Sequence, residues 1–441
     1  AIKEYISEND CKVVLLSATP YNKSFQDIAN QLSLFITEDN DLGISPEHYI
    51  ESIGGATDFF SRHPEVFIRN IKAFQLSEFA DDWRELLRFY MVRRTRSFIK
   101  TNYTELDPFN GRRFLTFSNG DRSYFPDRIP KKVEYEFDPD DRSDQYAKLY
   151  SSTVADIISD LALPRYGLRK YIKDKEKATA SSSDAVILDN LSRAGERLRG
   201  FCRTNLFKRL ESSGWAFLLS VSRHILRNYV TAYAIQNNLP IPIGTHISNI
   251  LDDFIDDQDT DDNPEDQQEE KIGLLISEEG FLKQAEKAYR LFQTQKYTGK
   301  FDWISPHYFN SNLLKDLERD AQNLSGILDL AKTWSPDSDR QLNALFDLIT
   351  NKHGKEKVLI FTQFADTAQY LYENLQKRGV KQLGIVTGGS KNPTDLAYRF
   401  SPESNKKDFP EGQQFRILVT TDVLSEGQNL QDAHIVLNFD L

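Results

Sequence analysis

At 441 residues, with 39% apolar and 12% aromatic side chains, the chain is long enough for two or three compact units with sizeable cores. No apolar run approaches the roughly 20 residues that span a bilayer, and Glu4, Glu8 and Asp10 stand where a secretory leader would be basic and then apolar, so the chain reads as soluble and cytoplasmic with no membrane partner. A net charge of -11 would argue against nucleic acid, but residues 251–270 hold eleven carboxylates and no Lys or Arg, which leaves the rest of the chain neutral and that partner open.

Residues 13–16, Val-Val-Leu-Leu, form a short apolar run that stops at Ser17-Ala18-Thr19-Pro20. Such a run is expected to be a buried parallel strand delivering a polar loop to a cleft. Phe25, Ile28, Leu32 and Phe35 then recur at helical spacing within 22–35, as do Trp83, Leu86, Leu87 and Tyr90 within 81–92. The basic turn that follows contains Arg93 and Arg94, either near a functional cleft or as a solvated helix end that complements the helix dipole.

Residues 101–130 carry the turn signals Pro108-Phe109-Asn110-Gly111 and Ser118-Asn119-Gly120-Asp121 and read as a loop or hairpin. The alternation of residues 132–137 predicts a half-buried strand, and Asp138 to Asp141 predict the cap of a helix through Tyr146, Leu149 and Tyr150. Cys11 and Cys202 lack metal-ligand spacing and are expected to be buried thiols.

From there to residue 335 the pattern is mainly helical, broken at 173–184 and by the acidic tract, which reads as a solvated linker or a partner-binding segment. Its densest basic stretch, 197–213, sets Arg203, Lys208 and Arg209 among Phe201 and Phe207, a pattern suited to tracking a phosphate backbone or to a solvated helix face. Ser335-Pro336 then has cap and first-turn chemistry for a new unit. Four apolar runs follow, at 358–361, 384–386, 417–419 and 435–437, several separated by helical patterns. That alternation predicts an α/β unit with a mostly parallel sheet.

The loops after those runs would lie at the carboxyl edge of the sheet, where ligands bind. They hold Thr362-Gln363, Thr387-Gly388-Gly389-Ser390-Lys391 and the stretch Thr420 to Gln431, with Asp422, Ser425, Glu426, Gly427, Gln428 and Asn429. Hydroxyls and amides of this kind bond phosphate without reading bases, and Gly427 admits close backbone approach to ribose or phosphate.

Ser17-Ala18-Thr19-Pro20 after its apolar run resembles motif III of the superfamily-2 helicases, and Ser425-Glu426-Gly427-Gln428-Asn429-Leu430-Gln431 with the run 433–441 resembles motif V. The second string resembles in particular the Swi/Snf-type double-stranded DNA translocases, and among them the bacterial RapA-like group. The resemblance implies RecA-like helicase lobes: the end of lobe 1 over residues 1–100, a connection and large helical insertion over 101–335, and most of lobe 2 over 336–441. It implies that Ser17 and Thr19 couple nucleotide state to lobe closure, that Asp422, Glu426 and Gly427 sense nucleotide, and that Gly427, Gln428 and Asn429 sit beside it. Thr362, Gln363, Thr387, Gly388, Lys391, Thr420 and Ser425 would contact nucleic acid, with Arg93, Arg94, Arg203, Lys208 and Arg209 as basic contacts. Arg340 stands where that family more often has Lys.

A motor of this kind uses ATP and magnesium, yet no phosphate-cradling G-x-x-x-x-G-K-[ST] and no Asp-Glu dipeptide occurs in the chain. Their main ligands are therefore expected outside it. The chain starts at Ala1, has its one methionine at Met91, and reads as an internal fragment that alone is inactive. The expected whole is an ATP-dependent double-stranded DNA translocase; the alternatives are an RNA-directed helicase of the same superfamily and a non-catalytic module that binds a protein partner through the helical insertion or the acidic tract.

Overall fold

The structure, a computed structural model, describes residues 2–9, 11–16, 24–93, 95–125, 128–135, 138, 140–141, 143–193, 196–244, 277–294, 297–425 and 427–440. The acidic tract, Ser17, Thr19, Arg94 and Glu426 lie outside the described residues. The chain divides into two compact units, Ala1–Lys131 and Lys132–Leu441.

The first unit is built mainly of short helices. Helix Phe25–Leu32 buries Ile28 and Leu32, and helix Ala80–Tyr90 buries Trp83 and Leu86, whereas Phe35 and Tyr90 of the same predicted stripes are exposed, Phe35 lying beyond its helix and Tyr90 at the end of its own. The buried side chains pack with Ile36, Ile71 and Phe74 in one core, where Phe25 stacks on the Trp83 ring. Buried Asp82 organises the neighbouring turn by accepting from the backbone N–H groups of His48 (2.9 Å) and Tyr49 (3.1 Å) and from Ser77 Oγ (2.6 Å). It thereby satisfies donors at the start of helix Glu47–Ser52 that have no partner inside that helix.

The predicted strand at 13–16 is absent: residues 11–16 have no regular structure, and Val14 and Leu16 are 78% and 92% exposed. Apolar character does not make a strand without a neighbour to take its backbone groups, and among the described residues nothing pairs with this segment. Cys11 is likewise exposed rather than buried, while Cys202 is half-buried. The two turn signals near residues 108 and 118 do close hairpins. β1 (Glu105–Leu106), β2 (Arg113–Thr116) and β3 (Arg122–Tyr124) form an antiparallel meander, with Gly111 and Gly120 at positive φ in the turns.

In the second unit, residues 132–135 are mostly exposed and form no strand, so the predicted strand at 132–137 is not found among the described residues. The following helix is Gln145–Leu149, and its cap is Asp144, whose carboxylate accepts from the N–H groups of Tyr146 and Ala147, rather than the Asp138 to Asp141 string. Helices Glu196–Ser212, Gly214–Gln236, Glu278–Phe292 and Asn312–Leu330 make the helical body, joined by the antiparallel pair β4 (Ile241–Ile243) and β5 (Asp302–Ile304). Helix Gly214–Gln236 is buried nearly all round, Arg223, His224, Arg227 and Asn228 included, in keeping with its central place in that core. Gly214 is needed at its start, because a Cβ there would meet the Trp334 ring.

The four apolar runs of the C-terminal region become β6 (Val358–Phe361), β7 (Leu383–Val386), β8 (Ile417–Thr420) and β9 (Ile435–Asn438). They form a wholly parallel sheet in the order β7-β8-β6-β9. Central β8 is buried along its whole length, which explains its unbroken apolar sequence. Helices Ala365–Lys377 and Pro393–Phe400 pack on the sheet, giving the α/β, RecA-like architecture expected of this region.

Candidate functional site

Because every strand of this sheet runs the same way, the loops after β6, β7, β8 and β9 emerge along one edge. After β6, Thr362 is buried: its N–H donates to Thr420 O (3.0 Å), and its hydroxyl donates to the Asp440 carboxylate, 2.8 Å from Oδ2. The same carboxylate accepts from the Gln363 N–H and from Ser212 Oγ (2.9 Å), and Ser212 Oγ lies 2.7 Å from Thr367 Oγ1. Asp440, Ser212, Thr362 and Thr367 thus form a closed node that shapes the loop. The Gln363 side chain is exposed and makes no hydrogen bond among the described residues.

After β7, the Thr387 N–H donates to Ser390 Oγ and the Ser390 N–H donates back to Thr387 O, both at 3.0 Å. This turn holds Gly388 and Gly389 exposed at its tip, with exposed Lys391 beside them. The chain then enters helix Pro393–Phe400, capped by Asn392. After β8, the Thr421 N–H donates to Val386 O (3.1 Å), fastening this loop to the previous one. Asp422 is exposed, Ser425 donates through both its N–H and its hydroxyl to Asp422 O, and exposed Gly427 has φ +73°. Gln428 reaches Thr394 Oγ1 at 3.5 Å.

Some expected contact residues serve the fold instead. Thr420 is fully buried and its hydroxyl donates to Thr421 O. Asn429 turns inward, its amide donating to Ser404 O (2.8 Å) and its own carbonyl accepting from Asn405 Nδ2 (2.7 Å). Asp432 fixes the neighbouring strap by accepting from the N–H groups of Glu403 and Ser404, both at 2.9 Å.

The basic stretch behaves the same way in part. Arg203 Nη2 donates to Leu161 O at 2.5 Å. Arg209 pairs with Asp366 at 2.6 Å and lies over the Phe364 ring. Arg223 grips the same carboxylate with two bonds, 2.6 and 2.9 Å. Burial opposes ionisation of Asp366, but the Arg223 hydrogen bond and both guanidiniums outweigh it and hold its pKa below the ordinary carboxylate value. Lys208 is exposed. Arg93, in the first unit, is exposed after helix Ala80–Tyr90.

The sheet edge therefore brings together Gln363, the 387–391 turn, Asp422, Ser425, Gly427 and Gln428. Hydroxyls, amides, backbone N–H donors and one lysine suit phosphate and ribose oxygens. Among the described residues no group of His, Cys, Asp and Glu side chains could hold a metal ion.

A parallel sheet of this order, with helices packed on it and polar loops along one edge, is an α/β lobe of RecA-like form. Residues 340–441 match the family model described as "Helicase conserved C-terminal domain". The chain is also 28% identical over 152 residues to the ATP-dependent RNA helicase DBP5 of Debaryomyces hansenii, a stretch covering 34% of this chain and 27% of that protein. The match thus spans about a quarter of the yeast protein's length. No solved structure matches the chain. Both similarities are to helicase sequence, the family-model match lying in the C-terminal region that builds the parallel sheet.

Proposed function

We propose that the chain supplies the second RecA-like lobe of an ATP-dependent motor that moves along double-stranded DNA. The observation that carries this reading is the alignment of Gln363, the 387–391 turn and the 422–428 loop on one edge of a parallel sheet. Gln363, Gly388, Gly389 and Lys391 hold the phosphate backbone, a sequence-independent grip suited to a motor that must cross any sequence. Asp422, Gly427 and Gln428 face the nucleotide. ATP hydrolysis provides the free energy for alternating grip and release, and the closed node around Asp440 keeps the β6 loop in register with β8 while the grip changes.

The Ser-Glu-Gly-x-Asn-Leu-Gln string supports duplex DNA as the track. The similarity to a yeast RNA helicase favours a second reading, in which the track is RNA. Hydrolysis by the complete protein with duplex DNA, single-stranded DNA and RNA at matched salt separates the two, since salt alone mimics selectivity. Strongest stimulation by duplex DNA upholds the first reading, and stimulation by RNA alone replaces it with the second.

A further inference from the structure

Charge in the first unit is sharply segregated. Residues 1–92 carry eight Lys and Arg against fifteen Asp and Glu, whereas residues 93–131 carry nine against four. The basic part is the segment that builds helix Arg96–Asn102 and the β1-β2-β3 meander. One of its few carboxylates is withdrawn from the surface: Asp107 is buried, accepting from Phe109 N–H (2.9 Å), Asn110 Nδ2 (2.8 Å) and Tyr124 OH (2.5 Å).

Between this helix and the meander lies an open groove of about 470 Å³, lined by Lys100, Leu106, Gly111, Arg112, Arg113 and Phe125. Its apolar lining includes an aromatic ring, with Lys100 Nζ 5.8 Å from the Phe125 centroid. Lys100 and Arg113 make no ion pair among the described residues; Arg113 Nη1 instead donates to Lys100 O and Thr104 Oγ1, which pins the helix end beside the strands. The same segment carries further exposed rings: Phe109 is 97%, Tyr103 57% and Phe117 53% exposed. Cations beside rings with open faces are the chemistry that holds a phosphate backbone and stacks unpaired bases, whereas duplex DNA offers no free base faces.

We propose that the groove between helix Arg96–Asn102 and the β1-β2-β3 meander binds single-stranded nucleic acid, with Lys100 and Arg113 on phosphates and a base against Phe125. The groove belongs to the first unit and the sheet edge to the second, and the proposal does not depend on the motor reading.

The test is binding of labelled oligothymidylate, oligouridylate and a blunt DNA duplex to the 441-residue chain without ATP, at several salt concentrations. Lys100→Glu and Arg113→Glu are each expected to weaken single-strand binding about tenfold and to lower the salt slope by about 0.7. Phe125→Ala is expected to weaken it about fivefold with the slope unchanged. Arg84→Glu, the same charge change on the acidic part of the unit, is the control and should bind as the parent does. The two single strands differ in sugar and in the base methyl group, and comparable loss for both upholds the site. Should Arg113→Glu fail to fold, exposed Lys100 carries the same readout. Lys100→Glu binding as tightly as the control, or losing as much affinity for the duplex as for the single strands, would overturn the proposal. Because no ATP is present, failure of the motor reading leaves this result unaffected.

Discussion

Arg223 holds Asp366 through both carboxylate oxygens, and Arg209 adds a third bond to the same group. This ties helices Glu196–Ser212 and Gly214–Gln236 to the first turn of helix Ala365–Lys377, directly after the β6 loop. Asp366→Asn leaves two largely buried guanidiniums without their counter-charge. It should destabilise the second unit by about 3 kcal/mol, read as a shift in denaturant midpoint. A midpoint within experimental scatter of the parent would mean that solvent already screens the pair.

The same pair makes stability depend on acid. The folded protein binds the Asp366 proton more weakly than the unfolded chain does, since its pKa lies below the ordinary 3.8. Its contribution is therefore complete above that value and fades as the pH falls through the lower folded-state pKa. The stability gap between parent and Asp366→Asn should be flat near neutrality and narrow below pH 3.8. A gap that widened on acidification would reverse the sign of this account.

Asn429 and Gln428 are adjacent in sequence and differ in what they do. Asn429→Ala removes the bond to Ser404 O and should cost about 1 kcal/mol of stability. Gln428→Ala breaks only a 3.5 Å contact and should leave stability unchanged while lowering nucleic-acid-stimulated ATP turnover of the complete protein. Equal melting of the two variants would contradict the structural role of Asn429.

Gly214 offers a packing test. A Cβ there meets the Trp334 indole, itself edge-on to Tyr146 at 5.5 Å, and Leu149 Cδ1 at 3.2 Å. Gly214→Ala should therefore destabilise by about 2 kcal/mol despite alanine's better helix propensity. Unchanged thermal stability would show that the ring moves aside freely.

The parallel sheet was legible because each of its strands is a short apolar run ended by polar loop residues, a pattern that few other structures produce. The loop positions of Gln363, Lys391, Asp422 and Gly427 followed directly from that. The central supports did not. Ser212 meets Asp440 across 228 positions and Arg223 meets Asp366 across 143, and no local spacing encodes such pairs. Arg223 and Arg227, set among the apolar residues of helix Gly214–Gln236, were the available signal for a buried ion pair, since a buried charge demands a partner. The run at 13–16 misled for the complementary reason: its composition fits a strand, but pairing is decided by a neighbour that composition cannot supply. Thr362 and Thr420 look like free hydroxyls in sequence, and burial beside Asp440 and Thr421 removes them from the surface.

The most direct test of the central claim, that this sheet edge grips nucleic acid during ATP turnover, is the DNA-stimulated ATPase rate of the complete protein with Gln363→Ala and Lys391→Ala combined. Both side chains are exposed and without hydrogen-bond partners among the described residues, so folding should be unaffected. The account predicts a roughly tenfold or greater fall in stimulated turnover, largest at low salt and shrinking as salt rises, with an unaltered melting midpoint. Parent-like stimulation at every salt concentration would contradict it and remove the edge from the track.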